Sequence, residues 1–216
     1  MIEIKNLSAG YDQGDVIFDV NIKIPDGKVT VIVGPNGCGK STLLKTLMGM
    51  NGRSCGEILV EGDDIGSFSS RELAQKMAYL SQNRQLPEIT AERLVLHGRF
   101  PYLSYPRHYR KEDMKIVHEA MDQMGIRELA ERPMNTLSGG TRQKVYIAMA
   151  LAQDTPVILM DEPTTFLDIS YQIQTMEQAK ALAQAGKTVI MVLHDLSLAM
   201  QTADHLVVMK DGRVIR

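Results

Sequence analysis

The sequence has few of the features that mark secreted, membrane-spanning or nucleic-acid-binding proteins. Its 216 residues include no tryptophan and only two cysteines, Cys38 and Cys55. Because Cys38 lies inside a glycine-rich loop, a disulfide framework is not expected, and the chain suits a reducing compartment. The 24 basic and 26 acidic residues nearly balance, so the chain lacks the positive surface that a nucleic-acid backbone requires. Nucleic acid is therefore not expected as a partner.

Long hydrophobic runs are also missing. The longest apolar runs, such as residues 189–193, are far too short to cross a bilayer. The first residues alternate between apolar and polar, which predicts a strand rather than a signal peptide. With 44% hydrophobic and 23% charged residues, the sequence predicts a globular protein. We expect a cytoplasmic location, with any membrane role exerted through a partner.

One glycine-rich stretch organises the chain, and it fits the phosphate-binding pattern G-x-x-x-x-G-K-[ST]. It consists of Gly34, Pro35, Asn36, Gly37, Cys38, Gly39, Lys40, Ser41 and Thr42. The β-branched run 29–33 predicts a buried strand before it, and residues 41–50 predict a helix after it. In this context, glycines let backbone N–H groups surround an anion, and the helix N-terminus adds further donors.

Side chains of and near this loop predict a metal–nucleotide site. Lys40 can reach the β- and γ-phosphates, and the Ser41 hydroxyl can bind Mg²⁺. Asp161 and Glu162 end a buried strand predicted at 157–160, which is the Walker B pattern of P-loop proteins. Asp161 would hold Mg²⁺, directly or through water, and Glu162 would polarise the attacking water as general base. The alternative, a solvated pair of loop carboxylates, is disfavoured by the phosphate loop.

The hydrophobic pattern predicts an α/β fold. Short alternating strands near 2–7, 16–24 and 58–60 predict an antiparallel sheet. Strands that alternate with helices from residue 157 onwards predict a second, mostly parallel sheet. The finer predictions are a capping box at Ser69 and Glu72, helices at 70–76, 91–97, 112–124, 169–185 and 196–202, further strands at 77–80, 188–193 and 205–209, a loop at 100–108, and a hairpin turn at Asp211 and Gly212.

A second helix start has the character of an anion site. Residues 137–143 read Leu-Ser-Gly-Gly-Thr-Arg-Gln, so Ser138 can cap a helix whose first turn contains Gly139 and Gly140. Such a helix N-terminus can receive an anion, but Ser-Gly-Gly alone is common in loops. The chain has one phosphate loop, and the residues alone do not show which phosphate this second helix start would receive.

Taken together, these stretches resemble the ATP-binding cassette (ABC) ATPases, in the family's order and over essentially all 216 residues. Residues 34–42 resemble Walker A, 137–143 the signature motif, 157–162 Walker B and 167–168 the D-loop. Three further residues match by position: Tyr11 resembles the aromatic that stacks on adenine, Gln82 the Q-loop glutamine that also contacts Mg²⁺, and His194 the switch histidine. Without the family, His194 would be interpreted as a histidine satisfied at a strand end.

The resemblance implies a P-loop NTPase (RecA-like) core with an antiparallel β-subdomain and an inserted helical subdomain. Residues 1–216 would form a single ABC domain, with the core and β-subdomain in 1–82 and 154–216 and the helical subdomain in 83–153. Because the chain stops at Arg216, barely into the last hairpin strand, we expect a shortened C-terminus.

The resemblance also implies that two cassettes pair head to tail around ATP. Ser138, Gly139 and Gly140 would contact the γ-phosphate of the nucleotide held by Lys40 of the other copy. His194 would contact the γ-phosphate within its own subunit and hold the attacking water beside Glu162. The expected catalytic residues are therefore Lys40, Gln82, Glu162 and His194.

Two departures from the family pattern stand out. Thr141 occupies a position where many members have glutamine, and the D-loop reads Thr165-Phe166-Leu167-Asp168 rather than Ser-Ala-Leu-Asp. The aromatic residue in the D-loop and the segment 97–102 resemble importers of iron chelates, haem and cobalamin. This resemblance implies the ATPase subunit of a siderophore importer. Its expected partners are transmembrane permease subunits docked around residues 82–105, a second cassette forming a homodimer, and indirectly a substrate-binding protein. The ATPase itself is expected at the inner face of the cell membrane.

The sequence leaves other functions as alternatives. Haem or cobalamin is an alternative cargo. Soluble ABC ATPases that act on DNA or ribosomes usually carry two cassettes or a long coiled coil, and this sequence has neither. A non-hydrolysing module is disfavoured by the intact catalytic residues, and an exporter by the absence of a fused membrane domain.

Overall fold

The computed structural model describes residues 1–82, 86–165 and 167–215. The strands are β1 (Ile2–Tyr11), β2 (Gly14–Ile24), β3 (Val29–Val33), β4 (Arg53–Val60), β5 (Asp63–Asp64), β6 (Met77–Leu80), β7 (Val157–Asp161), β8 (Thr188–Val192), β9 (His205–Lys210) and β10 (Arg213–Val214). The α-helices are α1 (Lys40–Leu47), α2 (Ser70–Lys76), α3 (Ala91–Leu96), α4 (Lys111–Gln123), α5 (Gly139–Ala152), α6 (Ile169–Gln184) and α7 (Leu196–Thr202). Short 3₁₀ helices occur at Ile65–Ser67, His97–Tyr102, Arg127–Leu129 and Met134–Thr136.

The larger sheet has the strand order β10-β9-β3-β8-β7-β6. The strands from β9 to β6 pair in parallel, and only the short edge strand β10 is antiparallel. Every residue of β3, β7 and β8 is buried, as expected for parallel strands that are covered on both faces. The prediction of a mostly parallel sheet is confirmed.

The smaller sheet is antiparallel, with the order β2-β1-β4-β5. Strand β1 pairs with both neighbours, and its residues Ile2 and Ile4 lie opposite Ile24 and Ile22 of β2. These isoleucines are buried, whereas residues between them are partly or fully exposed. The alternating sequence pattern therefore predicted both the sheet and its buried face.

The parallel sheet separates two hydrophobic clusters. One cluster contains Val31 and Met191 with residues of α3, α4 and α5, while the other contains Ile32 and Ile190 with residues of α1 and the antiparallel sheet. Neighbouring residues of one strand belong to different clusters because successive side chains point to opposite faces. The sheet thus ties the helical region and the antiparallel sheet to one framework.

Most of the predicted local structure is confirmed. Ser69 and Glu72 form both hydrogen bonds of the capping box at α2. Asp211 and Gly212 have φ angles of 49° and 76°, which suit the two-residue turn between β9 and β10.

Several predicted boundaries are wrong. Strand β4 begins at Arg53 instead of residue 58, and β1 continues to Tyr11 instead of ending near residue 7. The helix after the phosphate loop ends at Leu47 instead of residue 50, since Gly49 adopts a left-handed φ of 64°. Residues 100–108 were expected to form a loop, but residues up to Tyr102 continue a 3₁₀ helix that includes Pro101. Gly98 of this segment approaches α5 so closely that a Cβ would lie 2.2 Å from the Met149 carbonyl oxygen. Packing on α5 rather than local preference therefore holds the segment.

Candidate nucleotide site

The glycine-rich loop joins β3, at the centre of the parallel sheet, to α1. Gly34 has a φ of 156°, and a Cβ there would lie 2.2 Å from the Met209 carbonyl oxygen. Gly39 precedes α1 with a φ of 97°, and a Cβ there would lie 2.5 Å from Ile17. Neither backbone position accepts a side chain, so the glycines are required by the fold as well as by anion binding.

A cleft of about 450 Å³ opens over this loop. Its lining residues are Val16, Asn36, Gly37, Gly39, Lys40, Ser41, Thr42, Gln82, Glu162 and His194. Lys40 is 5% exposed, and its ammonium donates to the carbonyl oxygens of Gly34 and Pro35 at 2.8 and 2.9 Å. The charge is therefore held against the loop at the floor of the cleft. Cys38 is buried in the same loop, and both cysteines are free thiols.

Asp161 lies at the end of β7, beside the start of α1. Its two carboxylate oxygens accept hydrogen bonds from the Ser41 hydroxyl at 2.9 Å and from the Tyr79 hydroxyl at 3.2 Å. Burial raises the pKa of Asp161, although these two hydrogen bonds oppose the rise. The side chain is 2% exposed, so its charge is costly to bury without a cation.

Glu162 is held on three sides. The Gln82 amide and the Thr165 hydroxyl, the latter at 3.1 Å, donate to one carboxylate oxygen, while Nε2 of His194 contacts the other. Glu162 has a φ of 49°, a left-handed conformation that is uncommon for a residue with a side chain. Such a backbone at the end of a buried strand is typical of functional sites. The structure thus brings together Gln82, Glu162 and His194, which are far apart in the sequence.

The predicted second anion site does not open into this cleft. Ser138 caps α5 by accepting the Thr141 N–H at 3.2 Å, and Gly139 lines a separate groove of about 190 Å³. Gln82 and Glu162 line both the groove and the cleft, so these two side chains form the wall between them. Gly140 is buried, and a Cβ there would lie 2.4 Å from the Tyr171 ring.

The remaining residues that the family resemblance named are Tyr11 and those of the D-loop. The Tyr11 hydroxyl interacts with Thr42, and this hydrogen bond lowers the Tyr11 pKa; Lys45 lies over its ring at 5.9 Å. Phe166 of the D-loop is outside the described residues, whereas Asp168 caps α6 by accepting the Tyr171 N–H at 3.0 Å.

The structure adds three residues that the sequence reasoning did not assign to the site. Val16 lines the cleft from β2, Tyr79 donates to Asp161, and Thr165 donates to Glu162. Val16 and Tyr79 belong to ordinary strand patterns, so nothing local distinguishes them. Thr165 lies three residues after Glu162, and that spacing is the one signal from which its contact was predictable.

Comparison with known proteins identifies relatives along most of the chain. Residues 17–165 match the family model described as ABC transporter. The achromobactin transport ATP-binding protein CbrD of Dickeya dadantii is 46% identical over 95% of this chain and 77% of its own length. The ferric enterobactin transport ATP-binding protein FepC of Escherichia coli is 43% identical over 98% of this chain and 79% of its own. The dimeric structure of MJ0796, a bacterial ABC transporter cassette, matches with a TM-score of 0.85 and 30% identity, covering all of this chain and 97% of its own.

The α-helices of this chain are short. Within 1–82, 86–165 and 167–215, none combines the length and the apolar character that crossing a bilayer demands.

Proposed function

The chain belongs to the ABC transporter family of ATP-binding cassettes, and from that membership we propose that it hydrolyses ATP to drive import of a ferric siderophore or similar iron chelate. The observation that supports ATP hydrolysis is that Gln82, Thr165 and His194 all contact the Glu162 carboxylate beside the phosphate loop. The observation that supports an iron chelate as cargo is the sequence identity of 41–46% to siderophore-transport ATPases along nearly the whole chain. Haem and cobalamin are the alternative cargoes.

ATP binds with its phosphates at the loop before α1. Lys40 and the loop N–H groups would hold the β- and γ-phosphates, since the cationic side chain and the helix N-terminus both favour negative charge. Glu162 would take a proton from the attacking water as general base. His194, which contacts the opposite oxygen of that carboxylate, would orient Glu162 and reach the γ-phosphate. Tyr11, beside Thr42, would stack on the adenine.

The donor set suits Mg²⁺ bound together with the nucleotide. Ser41 and Asp161 present oxygen atoms 2.9 Å apart, and Mg²⁺ prefers oxygen ligands and completes its shell with phosphate and water. Among the described residues, no three side chains of the His, Cys, Asp and Glu types cluster to hold a metal by themselves. Ser41, Asp161 and Gln82 would therefore hold the ion only with ATP, where it would neutralise charge on the phosphates.

We further propose that the partner cassette is a second copy of this chain. ABC cassettes pair, and the cassette MJ0796, 30% identical to this chain, forms a dimer. Ser138, Gly139 and Gly140 lie outside the cleft of their own phosphate loop, and Ser138 and Gly139 are exposed, which leaves this helix start available to a nucleotide held by another copy. Each site would then combine the phosphate loop of one copy with the α5 N-terminus of the other.

Permease subunits would supply the path through the membrane. ABC cassettes act on transmembrane subunits, and this chain's docking surface is proposed around residues 82–105. Phe100 and Tyr105 in that region are 50% and 96% exposed, so their rings offer apolar surface that a permease subunit would cover. The cassette would lie at the inner face of the cell membrane, where the permease would also contact a substrate-binding protein on the other side.

The proposal is tested with the Glu162→Gln variant. Loss of the general base should lower steady-state ATP turnover at least about 100-fold while leaving ATP binding intact. Tagged Glu162→Gln chain, incubated with ATP and captured from native membranes, should retain a polytopic permease. Glu177→Gln, a matched change at an exposed position on α6, should keep parental turnover.

Each result has a distinct meaning. Unchanged turnover in Glu162→Gln would refute its role as general base. Capture of ribosomal or DNA-bound proteins without a permease would refute import while leaving the ATPase activity in place.

A further inference from the structure

Thr141, the departure from the family's glutamine, contacts the capping serine of α5 twice. Its backbone N–H donates to the Ser138 hydroxyl oxygen at 3.2 Å, and its own hydroxyl lies 2.8 Å from the same oxygen. Ser138 is exposed, whereas Thr141 is half-buried behind it. A glutamine at this position would offer no hydroxyl on its Cβ, so the second contact is a property of this sequence.

The two contacts bear on where the Ser138 proton can point. A serine hydroxyl has one donor hydrogen and two acceptor lone pairs. If Thr141 supplies both an N–H and an O–H, both acceptor positions are filled, and the single Ser138 proton must be directed elsewhere. An anion approaching the exposed serine favours this arrangement, because a hydrogen bond to a charged acceptor is stronger than one between neutral hydroxyls.

We propose that Thr141 is a positioning residue: its hydroxyl donates to Ser138 and thereby directs the Ser138 proton at the γ-phosphate held by the second copy. The inference rests on the proposed function, in which Ser138 contacts that phosphate. Thr141 does not line the phosphate-loop cleft of its own copy. A free serine hydroxyl would rotate about its C–O bond. The Thr141 side chain, which packs against Ser138, restricts that rotation.

The test compares Thr141→Val with Thr141→Ser in the full chain carrying Glu162→Gln. Valine keeps the branched shape of threonine but has no hydroxyl, whereas serine restores the hydroxyl. ATP-dependent dimerisation is measured by analytical ultracentrifugation, and ATP affinity of the monomer by nucleotide titration at low protein concentration. Thr136→Val is the matched control, because the Thr136 hydroxyl donates instead to the Pro133 carbonyl at 2.8 Å, just before the same helix.

We expect Thr141→Val to weaken each shared site about fivefold, the effect of one hydrogen bond. Because a dimer contains two such sites, its dissociation constant should rise by about 25-fold. Monomer affinity for ATP should stay at the parental value, since Thr141 lies outside the phosphate-loop cleft. Thr141→Ser should restore dimerisation.

Three outcomes would overturn the inference. Dimerisation of Thr141→Val at the parental level would show that the hydroxyl has no positioning role. An equal loss in Thr136→Val would assign the effect to the local stability of the helix start. Failure of the Glu162→Gln parent to dimerise with ATP would refute the shared site of the proposed function, and with it the inference; only this outcome touches both.

Discussion

At the scale of single residues, Asp161 combines a chemical role with an energetic penalty. It is almost fully buried, and its two hydrogen bonds from Ser41 and Tyr79 do not offset the desolvation that raises its pKa. A carboxylate in such a position is typical of a site built to receive a cation.

We therefore expect Asp161→Asn to raise the thermal midpoint of the ligand-free protein at neutral pH while abolishing ATP turnover. A carboxyl whose folded-state pKa is raised binds its proton more tightly in the folded state, so stability falls as pH rises from the unfolded pKa through the folded one. The difference in thermal midpoint between Asp161→Asn and the parent should therefore shrink when the pH falls below the ordinary aspartate pKa. Differential scanning calorimetry at several pH values measures this, and an advantage that persists undiminished in acid would contradict it.

Gly139 and Gly140 form a natural matched pair for substitution. A Cβ at 140 would lie 2.4 Å from the Tyr171 ring, whereas a Cβ at 139 has no such neighbour within 4 Å. Gly140→Ala should lower the free energy of unfolding by about 1–3 kcal/mol through overpacking. Gly139→Ala should change it by no more than about 1 kcal/mol, the propensity difference. Urea titration measures both free energies of unfolding, and equal effects would contradict a steric role for Tyr171. Adding Tyr171→Ala to Gly140→Ala should relieve the clash.

Some of the site residues could be predicted from the sequence and others could not. The phosphate loop, Ser41 and Asp161 were predictable because each lies next to a strand or helix with a strong local pattern. The meeting of Gln82, Glu162 and His194 was predictable only from family resemblance, since no local pattern relates residues so far apart in the chain. Tyr79 and Val16 were missed because their contacts depend on how the strands of the two sheets are arranged around the cleft.

At the scale of elements, a buried ion pair fastens the 3₁₀ helix at His97–Tyr102 to its neighbours. The Arg99 guanidinium donates to Asp113 of α4 at 2.9 Å and to the Ala152 carbonyl at the end of α5 at 2.9 Å. The Tyr102 ring lies 4.0 Å from the same guanidinium. One side chain therefore joins three helices, and this is the tertiary contact that the sequence pattern for 100–108 could not reveal.

Asp113→Asn should destabilise the protein by about 3 kcal/mol at neutral pH, since it leaves the Arg99 charge buried without its partner. Burial alone would raise the pKa of Asp113, but hydrogen bonds from the Arg110 N–H and from Arg99 outweigh it, so the pKa is lowered. A lowered carboxyl pKa contributes stability above the unfolded pKa, and this is lost as pH falls through the folded pKa. Denaturant titration should therefore show the difference from the parent shrinking in acid. Glu112→Gln, the exposed neighbour, should have little effect at any pH, and a similar loss there would contradict the explanation.

At the scale of the whole molecule, the parallel sheet both separates and joins the two hydrophobic clusters. Leu159 of β7 lies opposite Ile190 of β8 and shares its cluster, whereas Ile158 belongs to the cluster on the other face. The element order and this alternation were predictable from the sequence. The partition of helices between the faces was not, because periodicity shows which side of a helix is buried and not what it is buried against.

Double-mutant cycles test this partition. Leu159→Ala should lower the unfolding free energy by about 2–5 kcal/mol, and Ile158→Val or Ile190→Val by about 1 kcal/mol each. The combination of Leu159→Ala with Ile190→Val should depart from additivity by at least about 0.5 kcal/mol, because the two side chains belong to the same buried cluster on paired strands. The combination with Ile158→Val should be additive within about 0.5 kcal/mol. Coupling of the same size in both cycles would contradict a sheet that divides the core.

The wall formed by Gln82 and Glu162 has a consequence for inheritance. Because the phosphate-loop cleft and the groove of Gly139 lie on opposite sides of that wall, the proposed active site is divided between two copies of the gene product. A pair of one intact and one Glu162-substituted chain would therefore keep one of its two sites. By the same reasoning, a chain damaged at Lys40 would regain one working site by pairing with a chain damaged only at Ser138.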